Sequence, residues 1–157
     1  MNNVIDIKDK DIRKFGGRSL GIPREIMPQI ATKHIMDFVQ SLPVSSERVI
    51  MHVGDIKPTQ DSYMMEKVVQ KQKYFEEHIS NLKVKTLIIS SDNYLLDGHH
   101  NYLGLCRVNP DILVSVIRVN IPMTELLIRA TLYKNATTQS YEESYETLRK
   151  EGELRYE

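Results

Sequence analysis

The chain has 157 residues, 41% hydrophobic and 27% charged, with seven glycines and six prolines. That make-up suits one folded domain carrying an arm or tail, and excludes a disordered chain or two full domains. Lys plus Arg equals Asp plus Glu at 21 each, so no global field draws the protein onto nucleic acid or an acidic membrane, and only a local basic patch stays open. Cys106 is the single cysteine, which excludes an intrachain disulfide and a cysteine-cluster metal site and suits a reducing compartment. No apolar run has signal-peptide or membrane-spanning length, so the expected setting is cytoplasmic, with no membrane partner.

Residues 1–46 are expected to form an N-terminal arm and a helix. The first 25 are charged and broken by Gly16, Gly17, Gly21 and Pro23, with Arg13, Lys14, Arg18 and Arg24 as basic positions; this reads as an extended segment that lies over the domain or reaches a partner. The two-proline stretch 21–30 docks that arm or lines a pocket. Between Pro28 and Pro43 the positions Ile30, His34, Ile35, Phe38, Val39 and Leu42 have helical spacing.

Residues 47–135 are expected to form the domain proper. Arg48–Val53 is short and β-branched and reads as a buried strand. After a loop, Asp61 or Ser62 is placed to cap a helix whose face carries Met65, Val68, Val69, Gln72, Phe75 and Ile79. Lys85–Ser90 reads as a second buried strand and Tyr94–Leu96 as a short third one, before Asp97-Gly98 breaks the chain. A helix over His99–Val108, a strand over Ile112–Val119 and a Pro122-started helix to about Tyr133 follow. Residues 136–157 form a polar, acidic tail with helical character. The fold class is therefore α/β (α+β), a single compact domain with a small mixed sheet and flanking helices.

The segment that carries chemistry is Leu95-Leu96-Asp97-Gly98-His99-His100-Asn101. A glycine turn opening a helix lets the backbone approach a ligand, and the free N–H groups and positive end of the helix favour an anion. Phosphate is the natural occupant. His99 and His100 add side-chain donors, while Asp97 is placed to orient a histidine or hold a hydrated Mg²⁺. A transition-metal set of Asp97, His99, His100 and His52 is an alternative on ligand type alone.

Strand, Leu-Leu-Asp-Gly-His-His-Asn-Tyr, helix resembles the phosphate-binding motif of the ParB/sulfiredoxin superfamily, and the Asp-Gly-His-His form is similar to its free-serine-kinase branch. The stretch 51–61 resembles the superfamily's strand-to-loop element, so the likeness covers roughly residues 47–135. It implies a ParB/sulfiredoxin-like nucleotide-binding domain, with ATP or another nucleotide and Mg²⁺ as cofactors and a small hydroxyl-bearing substrate or a nucleoside or base as acceptor. Lys57, Thr59, Gln60, Asp97, Gly98, His99, His100 and Asn101 would hold the nucleotide. Asp61, then Glu66, matches the acidic base of the kinase branch, with His100 beside them as a catalytic group. Sulfiredoxins place their reactive cysteine directly after the glycine, where this chain has His99, so sulfinic-acid reduction is not expected. Asn101 stands where these families carry arginine, and the missing cation would come from Lys134, Arg107 or the arm. The function so implied is a nucleotide-dependent phosphotransferase. The alternatives are a ParB-like module associating with nucleotide or DNA, and after it a nuclease. No helix-turn-helix segment of the partition-protein type is evident in the sequence.

Overall fold

The computed structural model describes residues 11–81, 84–139 and 141. In chain order the elements are β1 (Ile12–Lys14), α1 (Ile35–Ser41), β2 (Ser46–His52), β3 (Ser62–Met64), α2 (Met65–Glu77), β4 (Leu87–Ile89), α3 (His99–Val108), β5 (Leu113–Val119) and α4 (Met123–Leu132). The result is a small mixed α/β domain.

The main sheet has the order β2-β5-β4. β2 runs antiparallel to β5, with Ser46 opposite Val119 and His52 opposite Leu113, whereas β4 runs parallel to β5 with Leu87 opposite Val116. Period-two alternation divides its side chains between two cores. Ile88, Ile117 and Val119 join Phe38, Val39, Met123 and Leu126 on the side of α1 and α4. Leu87, Ile89, Val114 and Val116 join Phe75, Tyr102 and Leu105 on the side of α2 and α3. Each fully buried Leu or Ile contributes about 1.5–3 kcal/mol relative to exposure, so β4, buried along its whole length, anchors both layers.

α2 and α3 pack side by side because Gly104 has no side chain: a Cβ there would lie 2.9 Å from the Cβ of Lys71 and 3.1 Å from the amide nitrogen of Gln72. That close approach brings the α2 lysines to the start of α3.

The arm lies on the domain. β1 pairs antiparallel with β3, Ile12 opposite Met64, and the chain beyond it is tied down by Phe15 N–H to Asp61 carbonyl (3.0 Å) and Ile22 N–H to Thr59 carbonyl (3.0 Å). Ile30, Ile35, Phe38 and Val39 enter the α1/α4 core, so the packing draws no line between residues 11–46 and the domain proper. Apart from 136–139 and 141, the polar tail lies outside the described residues.

Several expected elements differ in the structure. The helix expected over 28–42 is α helical only from Ile35, after a 3-10 turn at Thr32–His34. β2 is an edge strand rather than a buried one, with Ile50 71% exposed. Neither Asp61 nor Ser62 caps α2: residues 62–64 are drawn into pairing with β1, and extended Met64 precedes the helix with no side-chain cap. That helix ends at Glu77, with Ile79 in a separate 3-10 turn. Tyr94 and Leu95 make only isolated bridges, to Lys57 and Ile89. α3, β5 and α4 lie within a residue or so of their expected bounds.

Candidate functional site

After β4 the chain doubles back, with Ser90 N–H bonded to the Tyr94 carbonyl (3.0 Å) and Leu96 N–H to the Ile88 carbonyl (2.9 Å). This return sets Asp97-Gly98 beside Leu87. Gly98 has φ 88°, ψ 31°, in the left-handed region, and a Cβ there would lie 3.0 Å from Leu87 Cδ2. Glycine is thus required on both backbone and steric grounds. α3 starts at once: the Gly98 carbonyl accepts from Tyr102 N–H at 2.9 Å. The amides of His99, His100 and Asn101 occupy the first turn, where N–H groups have no intrahelical acceptor.

These residues border a cavity of about 160 Å³, lined among the described residues by Gly98, His99, His100 and Asn101, Lys67 and Lys71 of α2, Lys85 and Asp97, and Arg24 and Gln29 of the arm. Among the described residues, four cations thus share this wall with one carboxylate at the positive end of a helix. The carboxylate is already engaged. Asp97 Oδ2 accepts from Lys85 Nζ (3.0 Å) and Ile30 N–H (3.2 Å), and Oδ1 accepts from Gly98 N–H (2.7 Å). Lys85 also donates to the Ile30 carbonyl (3.1 Å). Asp97 therefore staples the arm to the turn.

Arg24 is 5% exposed and sits in a net of amides. Nη1 donates to Gln60 Oε1 (3.1 Å) and Nη2 to Gln139 Oε1 (3.3 Å); with its amide oxygen turned toward the guanidinium, Gln29 accepts from both at 3.0 Å. Burial pulls the guanidinium's pKa down from its ordinary value, opposed by Tyr141, Asp97 and Glu25. The net joins the arm, Gln60 and Gln139 to one wall of the cavity.

The two histidines face both ways. His99 Nε2 accepts from the main-chain N–H groups of Thr59 (2.9 Å) and Gln60 (3.2 Å), and His100 Nε2 accepts from Met64 N–H (3.0 Å). Burial drives the His99 pKa down to about 3 and moves His100 down as well, the latter helped by Lys67 and Arg24. Both rings are therefore neutral, and an accepting Nε2 leaves the proton on Nδ1. Any imidazole hydrogen bond to an anion comes from Nδ1–H, not from an imidazolium.

The other residues singled out in the sequence fall into two groups. Asn101 lines the cavity. Lys57, Thr59, Gln60, Asp61 and Glu66 do not border it. Lys57 Nζ stands 4.1 Å over the Tyr94 ring. Thr59 and Gln60 are buried, with Thr59 Oγ1 unpartnered among the described residues, and Gln60 Nε2 donates to the Ser62 carbonyl (2.5 Å). The Asp61 carboxylate accepts from Ser62 Oγ (2.8 Å), has Lys14 Nζ at 3.5 Å and keeps about a quarter of its side chain open. Glu66 is exposed in the first turn of α2. Of the cations proposed to replace the arginine absent at 101, Arg107 bonds Gln72 Oε1 (2.8 Å) and Lys134 borders a different depression beside α4. The arm's Arg24 is the one at the cavity.

His52 bonds the Asp111 carbonyl, and among the described residues no three His, Cys, Asp or Glu side chains gather at a common point. Mg²⁺ takes an oxygen-rich shell, whereas among the described residues this cavity offers one carboxylate with both oxygens engaged. Burial pushes the Cys106 thiol up to about 11, so it is protonated at neutral pH and a poor nucleophile.

Sequence reasoning missed Lys67, Lys71 and Lys85, whereas Gln29 lies in the two-proline stretch 21–30 read as docking the arm or lining a pocket. The available signal was Lys67-x-x-x-Lys71, two like charges one helical turn apart, which cost a helix a few tenths of a kcal/mol unless something offsets them. No helix among the described residues is long and apolar enough to cross a membrane. Comparison of the chain with protein-family models, with curated proteins and with solved structures found no match.

Proposed function

We propose that this chain is a nucleotide-binding domain of ParB/sulfiredoxin-like type, operating in the cytoplasm, that takes the phosphates of ATP or a related nucleotide at the start of α3. One observation carries the reading: Arg24, Lys67, Lys71 and Lys85 border a cavity at the positive end of a helix. Cations beside a terminus that itself bears about half a positive charge repel it, and an anion in the cavity turns every one of those terms favourable. The volume of about 160 Å³ is below the roughly 300–1,000 Å³ of a site that encloses a drug-sized ligand. The phosphates enter, and the ribose and base lie across the mouth.

A specific feature favours a second reading, phosphoryl transfer to a hydroxyl-bearing substrate. His99 fixes the amides of Thr59 and Gln60, and His100 fixes that of Met64, so Asp61 is carried between two clamps that begin in the phosphate turn itself. A partly open carboxylate held this way is a candidate general base, and phosphoryl transfer asks for little beyond alignment, charge compensation and such a base.

Thermal-shift titration with ATP, ADP, CTP and GTP, followed by nucleotide-turnover assays with and without added hydroxyl compounds, tests both. Saturating nucleotide at about 100 Kd stabilises by roughly 2.7 kcal/mol, a clear upward shift in Tm. No shift with any of the four contradicts nucleotide binding. Turnover that depends on an added hydroxyl compound and is lost in Asp61→Asn supports transfer, whereas binding without turnover supports a module alone.

A further inference from the structure

Resting on the reading that phosphates occupy this cavity, what offsets their charge follows from its walls. We propose that the site takes a terminal phosphate chain free of divalent metal, with Arg24, Lys67, Lys71 and Lys85 in the place that Mg²⁺ holds in most nucleotide sites.

The carboxylate supply argues this first. Among the described residues Asp97 is the only acidic one on the cavity wall, and its two oxygens accept from Lys85, Ile30 N–H and Gly98 N–H. Coordinating a metal would mean giving up the contacts that hold Lys85 and the arm in place. The cation supply argues it second. Four positive side chains converge from three separate stretches, the arm, α2 and the segment before β4. A bound divalent ion would add two more positive charges to a wall whose one carboxylate among the described residues is already engaged, and a metal-complexed phosphate brings less negative charge to offset the wall. The placement of Lys71 argues it third. Its position depends on the bare Gly104 opposite, which lets α2 lie close enough for the lysine to reach the start of α3. Arg24 completes the set as the planar fork suited to phosphate, supplied by the arm rather than by position 101 of α3.

Isothermal titration of the full chain with pyrophosphate and with ADP, each in EDTA and again in excess Mg²⁺, tests the proposal. The expected result is binding in EDTA that is equal to or several-fold tighter than in Mg²⁺. Binding that requires Mg²⁺ overturns metal-free recognition while leaving the nucleotide reading intact. Failure of both compounds to bind under either condition overturns both. Pyrophosphate binding without ADP binding supports the metal-free anion site and removes the nucleotide from it. A second variant guards against misfolding: Lys71→Ala, on the helix surface, is expected to weaken pyrophosphate binding about ten-fold with Tm unchanged, the loss of one charged hydrogen bond. Unchanged affinity in that variant contradicts the assignment of the lysines as counter-charge.

Discussion

His99 and His100 begin α3, and Lys67 and Lys71 stand across the same cavity on α2, yet the two pairs do opposite work. The imidazoles use Nε2 to accept main-chain N–H groups from the 59–64 segment, while the lysines bring positive charge to the cavity wall. The difference follows from helix geometry. Side chains tilt toward the N-terminus of their helix, so the two histidines that open α3 reach back past its start onto the neighbouring segment, whereas Lys67 and Lys71, one turn apart on α2, share the face of that helix turned to the cavity. The two histidines, which look most like ligands in the sequence, thus hold the 59–64 segment through Nε2, and positive charge at the cavity comes from an unremarkable helix.

The comparison breaks most visibly at His100. Replacing it by Ala leaves Met64 N–H buried without an acceptor and opens a void, an expected loss of about 3 kcal/mol in denaturant unfolding. A loss under about 0.5 kcal/mol would instead mark His100 as an exposed ligand group. The variant is therefore a poor probe of binding, because it destabilises the fold that positions the site.

Next comes Gly104→Ala. Its methyl meets Lys71 Cβ at 2.9 Å and backbone at 3.1 Å, so α2 must move; overpacking of this kind costs roughly 1–3 kcal/mol. Because the shift carries Lys71 away from α3, pyrophosphate affinity measured by titration is expected to fall together with Tm, unlike the affinity-only effect of Lys71→Ala.

The smallest effect per step is in pH. An unfolded histidine titrates near 6.5, and His99 in the fold titrates at about 3, so between these values the unfolded chain holds a proton that the folded chain does not. Stability is therefore lost as pH falls below about 6.5, at roughly 1.4 kcal/mol per pH unit for each fully depressed histidine. His100 shifts the same way and adds to the slope. His99→Gln keeps an acceptor near the position of Nε2 without titrating, and unfolding free energies measured across pH 4–7 should show a shallower acid slope for that variant. An unchanged slope would mean that His99 is not the buried neutral base described.

Much of the fold could be read locally. α3 was legible to the residue because a glycine breaks the chain and apolar side chains then recur at helical spacing, and α4 because Pro122 precedes a helical face. What failed depended on distant partners. Val49-Ile50-Met51 has the hydrophobicity of a buried strand, but strand order leaves β2 at the edge with Ile50 in solvent. Asp61 and Ser62 have the chemistry of helix caps, but β1, some fifty residues earlier, pairs with 62–64 and delays the helix to Met65. In the site, the Gly98 turn was legible from composition alone. Of the cations only Arg24 was in view, as part of the basic arm; Lys67, Lys71 and Lys85 share no motif and meet it only once Gly104 lets two helices touch and Asp97 pins the arm.

The most direct measurement is a ¹H–¹⁵N correlation titration of the folded chain with pyrophosphate. The expected result is a saturable shift centred on the amides of Gly98, His99, His100 and Asn101, with a smaller response at Lys67 and Lys71. Saturable shifts centred elsewhere, or none at all, would contradict a phosphate site at the start of α3.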